Sequence, residues 1–224
     1  MDPVDDPTIF SIVQQIVAPQ PGDPQARLTT PILRARRREI SRALGDAPAA
    51  DVLRLARHVE GALPQEQKWI AYELIRHHPG AFAAIGVAEI EDFAGRTTSW
   101  YAVDGLGTIL TGALWARGQL PDALFDAWSG SENRWLRRSA LVATVGRNAV
   151  RPDPERTFAL CLRLADDRDD MVEKAVSWAL RWLAQKDRAV VDAFWDAETD
   201  RFRPRVRREV AHKLSTGRKT PRRR

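Results

Sequence analysis

The sequence is poor in cysteine, with Cys161 alone among 224 residues, and it holds only two methionines and two tyrosines. One cysteine closes no internal disulfide and builds no zinc site by itself, which fits a reducing compartment. Long apolar runs are missing as well. Arg or Asp interrupts each stretch well short of the ~20 residues that a bilayer-spanning helix needs. The opening Met1-Asp2-Pro3-Val4-Asp5-Asp6 has neither the basic start nor the apolar stretch of a secretory signal. These absences lead us to expect a cytoplasmic protein with no membrane partner. No phosphate-binding loop, zinc motif or dinucleotide fingerprint is present, so no cofactor and no metal are expected. Local context suggests no Ser-His-Asp or Cys-His arrangement, and the adjacent His77 and His78 point apart on a helix. Any chemistry must run on carboxylate, arginine and aromatic groups.

Lysine is scarce too, with 5 lysines against 30 arginines and 30 acids, for a formal net charge of +5. Codon usage alone can favour arginine, but position adds information. From Arg201 to Arg224 there are 11 basic residues and one acid, so this segment carries +10 and the preceding 200 residues sum to −5. A basic block on a near-neutral body is the footprint of a polyanion partner; a solvated tail is the plainer reading.

The sequence is rich in helix formers, with 32 alanines and 20 leucines. Helix-length periodic stretches are separated by Gly, Pro and Asp clusters, as at residues 19–24 and 151–154. Roughly ten to twelve helices and little or no sheet are expected. The segments also resemble one another. Trp69, Trp100, Trp135, Val172 and Val206 are spaced by 31, 35, 37 and 34 residues. A period in the mid-thirties filled with helix pairs predicts an all-α fold, an α-solenoid of HEAT-like repeats with a concave basic face. Residues 1–216 are expected to form one such domain, followed by a flexible basic tail at 217–224.

Three places carry residues that a core does not explain. In the helix near Asp170, capped by Asp170 with Glu173, a buried stripe runs through Val172, Ala175, Val176, Ala179, Leu180 and Leu183. At about 100° per residue, Trp178 lies roughly 130° from the centre of that stripe, among Lys174, Ser177 and Arg181. A tryptophan between cations is a candidate stacking platform; burial in the core is the alternative. In the helix opening at Thr98 or Ser99, Val103, Leu106, Leu110 and Ala113 mark the core stripe. Trp100 and Asp104 share the opposite face with Thr108 and Thr111, and Gly105, Gly107 and Gly112 would let another backbone come close. At the helix capped by Ser131 or Asn133, Arg134, Arg137 and Arg138 crowd a helix start that is already positive. Arg205, Arg207 and Arg208 repeat the pattern. Either an anion such as a phosphate docks there, or Glu132, Asp166 or Asp167 pair with the arginines.

Four ordered stretches then resemble a known family. They are Ser99-Trp100-Tyr101-Ala102-Val103-Asp104, Ser131-Glu132-Asn133-Arg134-Trp135-Leu136-Arg137-Arg138-Ser139-Ala140, Lys174-Ala175-Val176-Ser177-Trp178-Ala179-Leu180-Arg181 and Arg207-Arg208-Glu209-Val210-Ala211. They are similar to the AlkD-like DNA alkylation-repair glycosylases, over roughly residues 60–215. The resemblance implies a HEAT-like α-solenoid that binds duplex DNA and excises cationic N3- and N7-alkylated purines. It places the catalytic carboxylate on Asp104, the two aromatics on Trp100 and Trp178, and a backbone-contacting arginine on Arg138. Arg134, Arg137, Lys174, Arg181, Arg205, Arg207 and Arg208 become DNA-binding positions. The expected protein is a monomeric, nucleoid-associated enzyme of base excision repair. The alternative is a non-catalytic HEAT-like module that binds structured DNA or a protein.

Overall fold

A computed structural model of the chain describes residues 6–18 and 29–218. The linker expected at 19–24 and most of the tail expected at 217–224 lie outside the described residues. Among the described residues every regular element is helical. Contacts divide the chain into two compact units, up to Phe93 and from Ala94 on.

The first unit contains α1 (Asp6–Val17), α2 (Thr30–Leu44), α3 (Ala49–Ala62), α4 (Trp69–Arg76) and α5 (Pro79–Ala84); α6 (Val87–Gly95) follows. Its core is aliphatic and aromatic: Ile16, Leu33, Val52, Leu55, Ile70, Tyr72 and Leu74 are buried. Four charges enter it, as two pairs, as desolvation requires. Lys68 Nζ lies 2.6 Å from Glu60 Oε1, and Arg37 Nε lies 3.0 Å from Glu73 Oε2. Arg36 donates to the carbonyls of Ile16 and Ala18, satisfying the end of α1.

The second unit contains α7 (Trp100–Gly105), a π-helical turn (Leu106–Thr111), α8 (Gly112–Ala116), α9 (Asp122–Ser129), α10 (Arg134–Val150), α11 (Pro154–Arg163), α12 (Asp170–Leu183), α13 (Arg188–Glu198) and α14 (Pro204–Thr216). One layer runs from α7 and α8 through α10 and α12 to α14; α9, α11 and α13 form a second. Trp100, Trp135, Val172 and Val206 stand at or near the starts of α7, α10, α12 and α14. The mid-thirties period is thus the step from one helix of the first layer to the next.

Caps define the helix starts. Asn133 accepts from Trp135 N at 2.9 Å, and Asp153, Asp169 and Asp187 do the same for α11, α12 and α13. Each such cap stabilises its helix by about 1 kcal/mol. The cap of α12 is Asp169 and not Asp170, which sits one residue inside and pairs with Lys174 and Arg205. Ser99 caps α7. Ser131 instead accepts from Asn133 N, shaping the loop before the cap.

The expected core stripes are in place. Val172, Ala175, Val176, Ala179, Leu180 and Leu183 are buried, as are Val103, Leu106, Leu110 and Ala113. The π-helical turn was not anticipated, and it changes one face. Thr108 is exposed and donates to the Asp104 carbonyl at 2.6 Å, but Thr111 is buried, its hydroxyl facing the Gly107 carbonyl. A wider turn rotates each residue by less than 3.6-residue spacing does, so the following residues lag around the axis and Thr111 turns inward.

Three glycines let this helix meet α10 backbone to backbone. A Cβ at Gly107 would strike Val142, one at Gly112 would strike the backbone at Gly146 and Arg147, and one at Gly146 would strike the Gly107 carbonyl. Gly146→Ala should therefore overpack the crossing and destabilise the protein by about 2–3 kcal/mol or more. Gly61→Ala in α3, with nothing within 4 Å of the new Cβ, should stabilise it by roughly 0.5–1 kcal/mol. Paired thermal melts would show it; a neutral Gly146→Ala would refute the crossing.

Candidate active site

The crossing places α7 and the start of α10 together, with α12 next in the layer. A cavity of about 660 Å³ opens there, lined by Trp100, Asp104, Arg138, Lys174, Trp178, Arg181 and Trp182 among others. Asp104 stands on α7 and Arg138 on α10, one repeat apart. Arg138 Nη2 donates to both carboxylate oxygens of Asp104, at 2.8 and 2.9 Å, and Nε adds a bond of 3.0 Å to Oδ1. Arg138 Nη1 donates to the Met171 carbonyl at 2.5 Å, tying the guanidinium to the start of α12. The Arg138 side chain is 6% exposed and that of Asp104 is 21% exposed. The carboxylate is thus the more open end of the pair.

Burial pushes the Asp104 carboxyl above the usual carboxylate range, against the opposing pull of Arg138. Desolvation weakens the charged form and the guanidinium restores part of it. The carboxylate charge acts through a medium of lower dielectric than water, where Coulomb interactions are stronger.

The two expected aromatics both line this cavity. Trp100 is 42% exposed, and Trp178 is half-buried on the flank of the α12 stripe. Tyr101 was not singled out by sequence reasoning. Its ring stacks on that of Trp100 with centroids 3.6 Å apart. Trp182, Gln185, Glu209 and Lys213 also line the cavity and were missed. A signal existed: Trp182 follows Trp178 by four residues, and Lys213 follows Glu209 by four, which puts each pair on one helix face.

The arginines at the start of α10 are each matched to a carboxylate. Arg137 Nε lies 2.6 Å from Asp167 and Nη1 donates to the Ser131 and Glu132 carbonyls. Arg134 lies 3.3 Å from Asp169, and its guanidinium stands over the Trp135 ring at 4.8 Å. Of the two readings for this arginine cluster, the chain itself supplies anions, one of them the anticipated Asp167. Arg134 keeps a largely exposed side chain.

The remaining predicted cations spread along α12 and α14. Lys174 pairs with Asp170 at 2.6 Å. Arg181 is buried, donating to the Ser177 carbonyl and hydroxyl, with Glu209 at 3.4 Å; burial lowers its pKa. Arg205 reaches Asp170 and Glu173, and Arg207 reaches Asp200. Arg208 is exposed, without an ion-pair partner among the described residues. No group of three or more metal-ligating side chains stands together among the described residues, and no helix there is long and apolar enough to cross a membrane.

The solved structure of a predicted DNA alkylation repair enzyme from Enterococcus faecalis superposes with a TM-score of 0.69 at 16% identity, over 84% of this chain and 87% of that one. No curated protein matches the chain. Residues 21–214 match the family described as DNA alkylation repair enzyme, a span that includes every residue of the cavity. The chain belongs to the DNA alkylation repair enzyme family.

Proposed function

We propose that the protein is a DNA glycosylase that hydrolyses the N-glycosidic bond of cationic N3- and N7-alkylated purines in duplex DNA. The observation that carries the reading is the Asp104–Arg138 pair, set in one cavity with Trp100 and Trp178. An N3- or N7-alkylpurine already bears a positive charge, so it leaves without a strong general acid. What remains to be stabilised is the positive charge that develops on the sugar as the bond breaks. A fixed, partly desolvated carboxylate does this and orients the attacking water. The electron-rich faces of Trp100 and Trp178 hold the cationic base, at about 0.5–2 kcal/mol each.

Arg138 acts in this reading through Asp104. Its fork fixes the position of the carboxylate and keeps part of its charge against desolvation. Arg134, Lys174, Arg205, Arg207 and Arg208, more open to solvent, are the cations that meet phosphates, with Arg137 and Arg181 supporting their helices.

Asp104→Asn should slow single-turnover release of 3-methyladenine or 7-methylguanine from methylated duplex DNA by about 3 kcal/mol of barrier, roughly a hundredfold or more. DNA affinity should hold or rise, because an anion is lost beside the phosphates. Wild-type release in this variant would sink the assignment, and tight DNA binding with no release by the wild-type protein would leave a binding module.

The pH profile gives an independent reading. The active form is the carboxylate, and burial raises the Asp104 pKa. Release should therefore fall on the acid side at a pH above the usual carboxylate range. Arg138 lowers that pKa, so Arg138→Ala should move the acid limb to still higher pH and cost about 3 kcal/mol of stability by leaving a buried charge unpaired. An unmoved acid limb in a folded Arg138→Ala protein would remove the positioning role.

A further inference from the structure

Two exposed aromatic residues open α7, Trp100 and Tyr101, the tyrosine 45% exposed. The helix reaches the core through Ala102 and Val103 instead. The two rings stack, with centroids 3.6 Å apart and planes 26° apart. Trp100 lines the cavity together with Asp104, and Tyr101 does not. The tyrosine therefore covers one face of the indole from outside the cavity and leaves the other face open.

An indole at this position gains from such a support. Inside a helix the preceding turn restricts χ1. Trp100 is the first residue of α7 and follows the Ser99 cap, so no helical turn precedes it. An exposed ring that is free to change rotamer must be immobilised when a ligand packs on it, and that entropy is lost from binding. A second ring stacked on one face imposes the constraint beforehand, with the strength of an aromatic pair. Tyr101 has little else to do. Four residues further along its own helix stands Gly105, which offers no side chain to pack on. Its one ring contact among the described residues is Trp100.

Resting on the reading that Trp100 meets the damaged nucleotide beside Asp104, we infer that Tyr101 is a positioning residue: its ring holds the Trp100 indole in one orientation at the cavity, and it acts on the reaction only through that indole. The ring carries this role and the hydroxyl plays no part in it.

Two measurements on the full chain test it, and the first needs no DNA. In protein labelled with 5-fluorotryptophan, the Trp100 signal is the fluorine resonance that Trp100→Phe removes. Tyr101→Ala should shift that signal by taking away the ring current of the stacked neighbour, and Tyr101→Phe should leave it close to its wild-type position. The second is single-turnover release of 7-methylguanine from methylated duplex DNA at saturating protein. Tyr101→Ala should lower the rate about three- to tenfold, the scale of one stacked aromatic pair. Tyr101→Phe should restore the rate, and affinity for undamaged duplex should change little in either variant. In a Trp100→Ala background, Tyr101→Ala should have no further effect. An unmoved Trp100 signal in Tyr101→Ala overturns the inference, as does wild-type release by a Tyr101→Ala protein that has lost the stack. Additive losses in the double variant, or a loss in Tyr101→Phe, would mean that Tyr101 meets DNA directly, and also overturn it. If the wild-type protein releases no base, the glycosylase reading falls and the same cycle of variants is read as affinity for the methylated duplex. There, a Tyr101→Ala loss that vanishes without Trp100 supports the inference, and additive losses or no loss overturn it.

Discussion

The close approach of α10 to the turn around Gly107 and Gly112 governs the geometry of the second unit. At Gly112 and Gly146 backbone meets backbone, at Gly107 the Val142 side chain comes closest, and a Cβ at any of the three would push the helices apart. The distance between the helices is then fixed by main-chain contact, which deforms less than packed side chains do. Asp104 lies just before this contact and Arg138 two helical turns before Gly146. A guanidinium fork must align two bonds to a carboxylate to work as a fork, and the rigid crossing supplies that alignment. The π-helical turn sits at the same place, and its wider turn carries Gly107 into the contact while leaving Asp104 at the cavity.

The same step of one repeat organises the charges. Arg138 to Asp104, Arg156 to Asp122, Arg163 to Asp126, Arg205 to Asp170 and Arg134 to Asp169 all join residues 34 to 37 positions apart. In a stacked fold each repeat touches only its neighbours, so long-range pairing concentrates at that separation. Most of these pairs are exposed and each stabilises little. Their geometry favours arginine, because a planar fork spans two oxygens and a lysine does not. The scarcity of lysine is consistent with this use as well as with codon bias. The arginines at the start of α10 would be unfavourable beside a positive helix end. Asp167 and Asp169, placed by the loop before α12, compensate them within the chain.

The sequence revealed faces better than partners. A 3.6-residue period shows which side of α12 is buried, and so it sets Trp178 off the core stripe, with burial left as the alternative. It also marks Trp100 and Asp104 as sharing a face. It does not show which side chain of another helix meets that face, because the register between helices depends on contacts such as Gly146 against Gly107. Arg138 therefore reads as one of three similar arginines, and only the crossing shows that it alone reaches Asp104. The capping acid of α12 reads one residue late, since Asp169 and Asp170 both suit a helix start. Thr111 reads as exposed because a π-helical turn breaks the period used to place it. Glu209 reads as a solvated acid, the usual fate of a glutamate. Its partners Ser177 and Arg181 lie one repeat away.

The Asp104–Arg138 pair also bears on how an arginine can adjoin a carboxylate that, in the proposed function, acts on a cation. An isolated carboxylate in this cavity would protonate more readily, since burial already raises its pKa. Full pairing in solvent would keep the charge but screen it. The pair lies between these limits. Arg138 is the more deeply buried member and is anchored behind by the Met171 carbonyl, while Asp104 keeps the greater exposure toward the cavity. The negative end of the resulting dipole is thus the accessible one. A positive charge arriving at the cavity gains attraction from Asp104 at shorter range than repulsion from Arg138, and the difference grows as water leaves. Such a dipole favours charge that develops close to the carboxylate, which in the proposed function is where a sugar losing its base becomes positive.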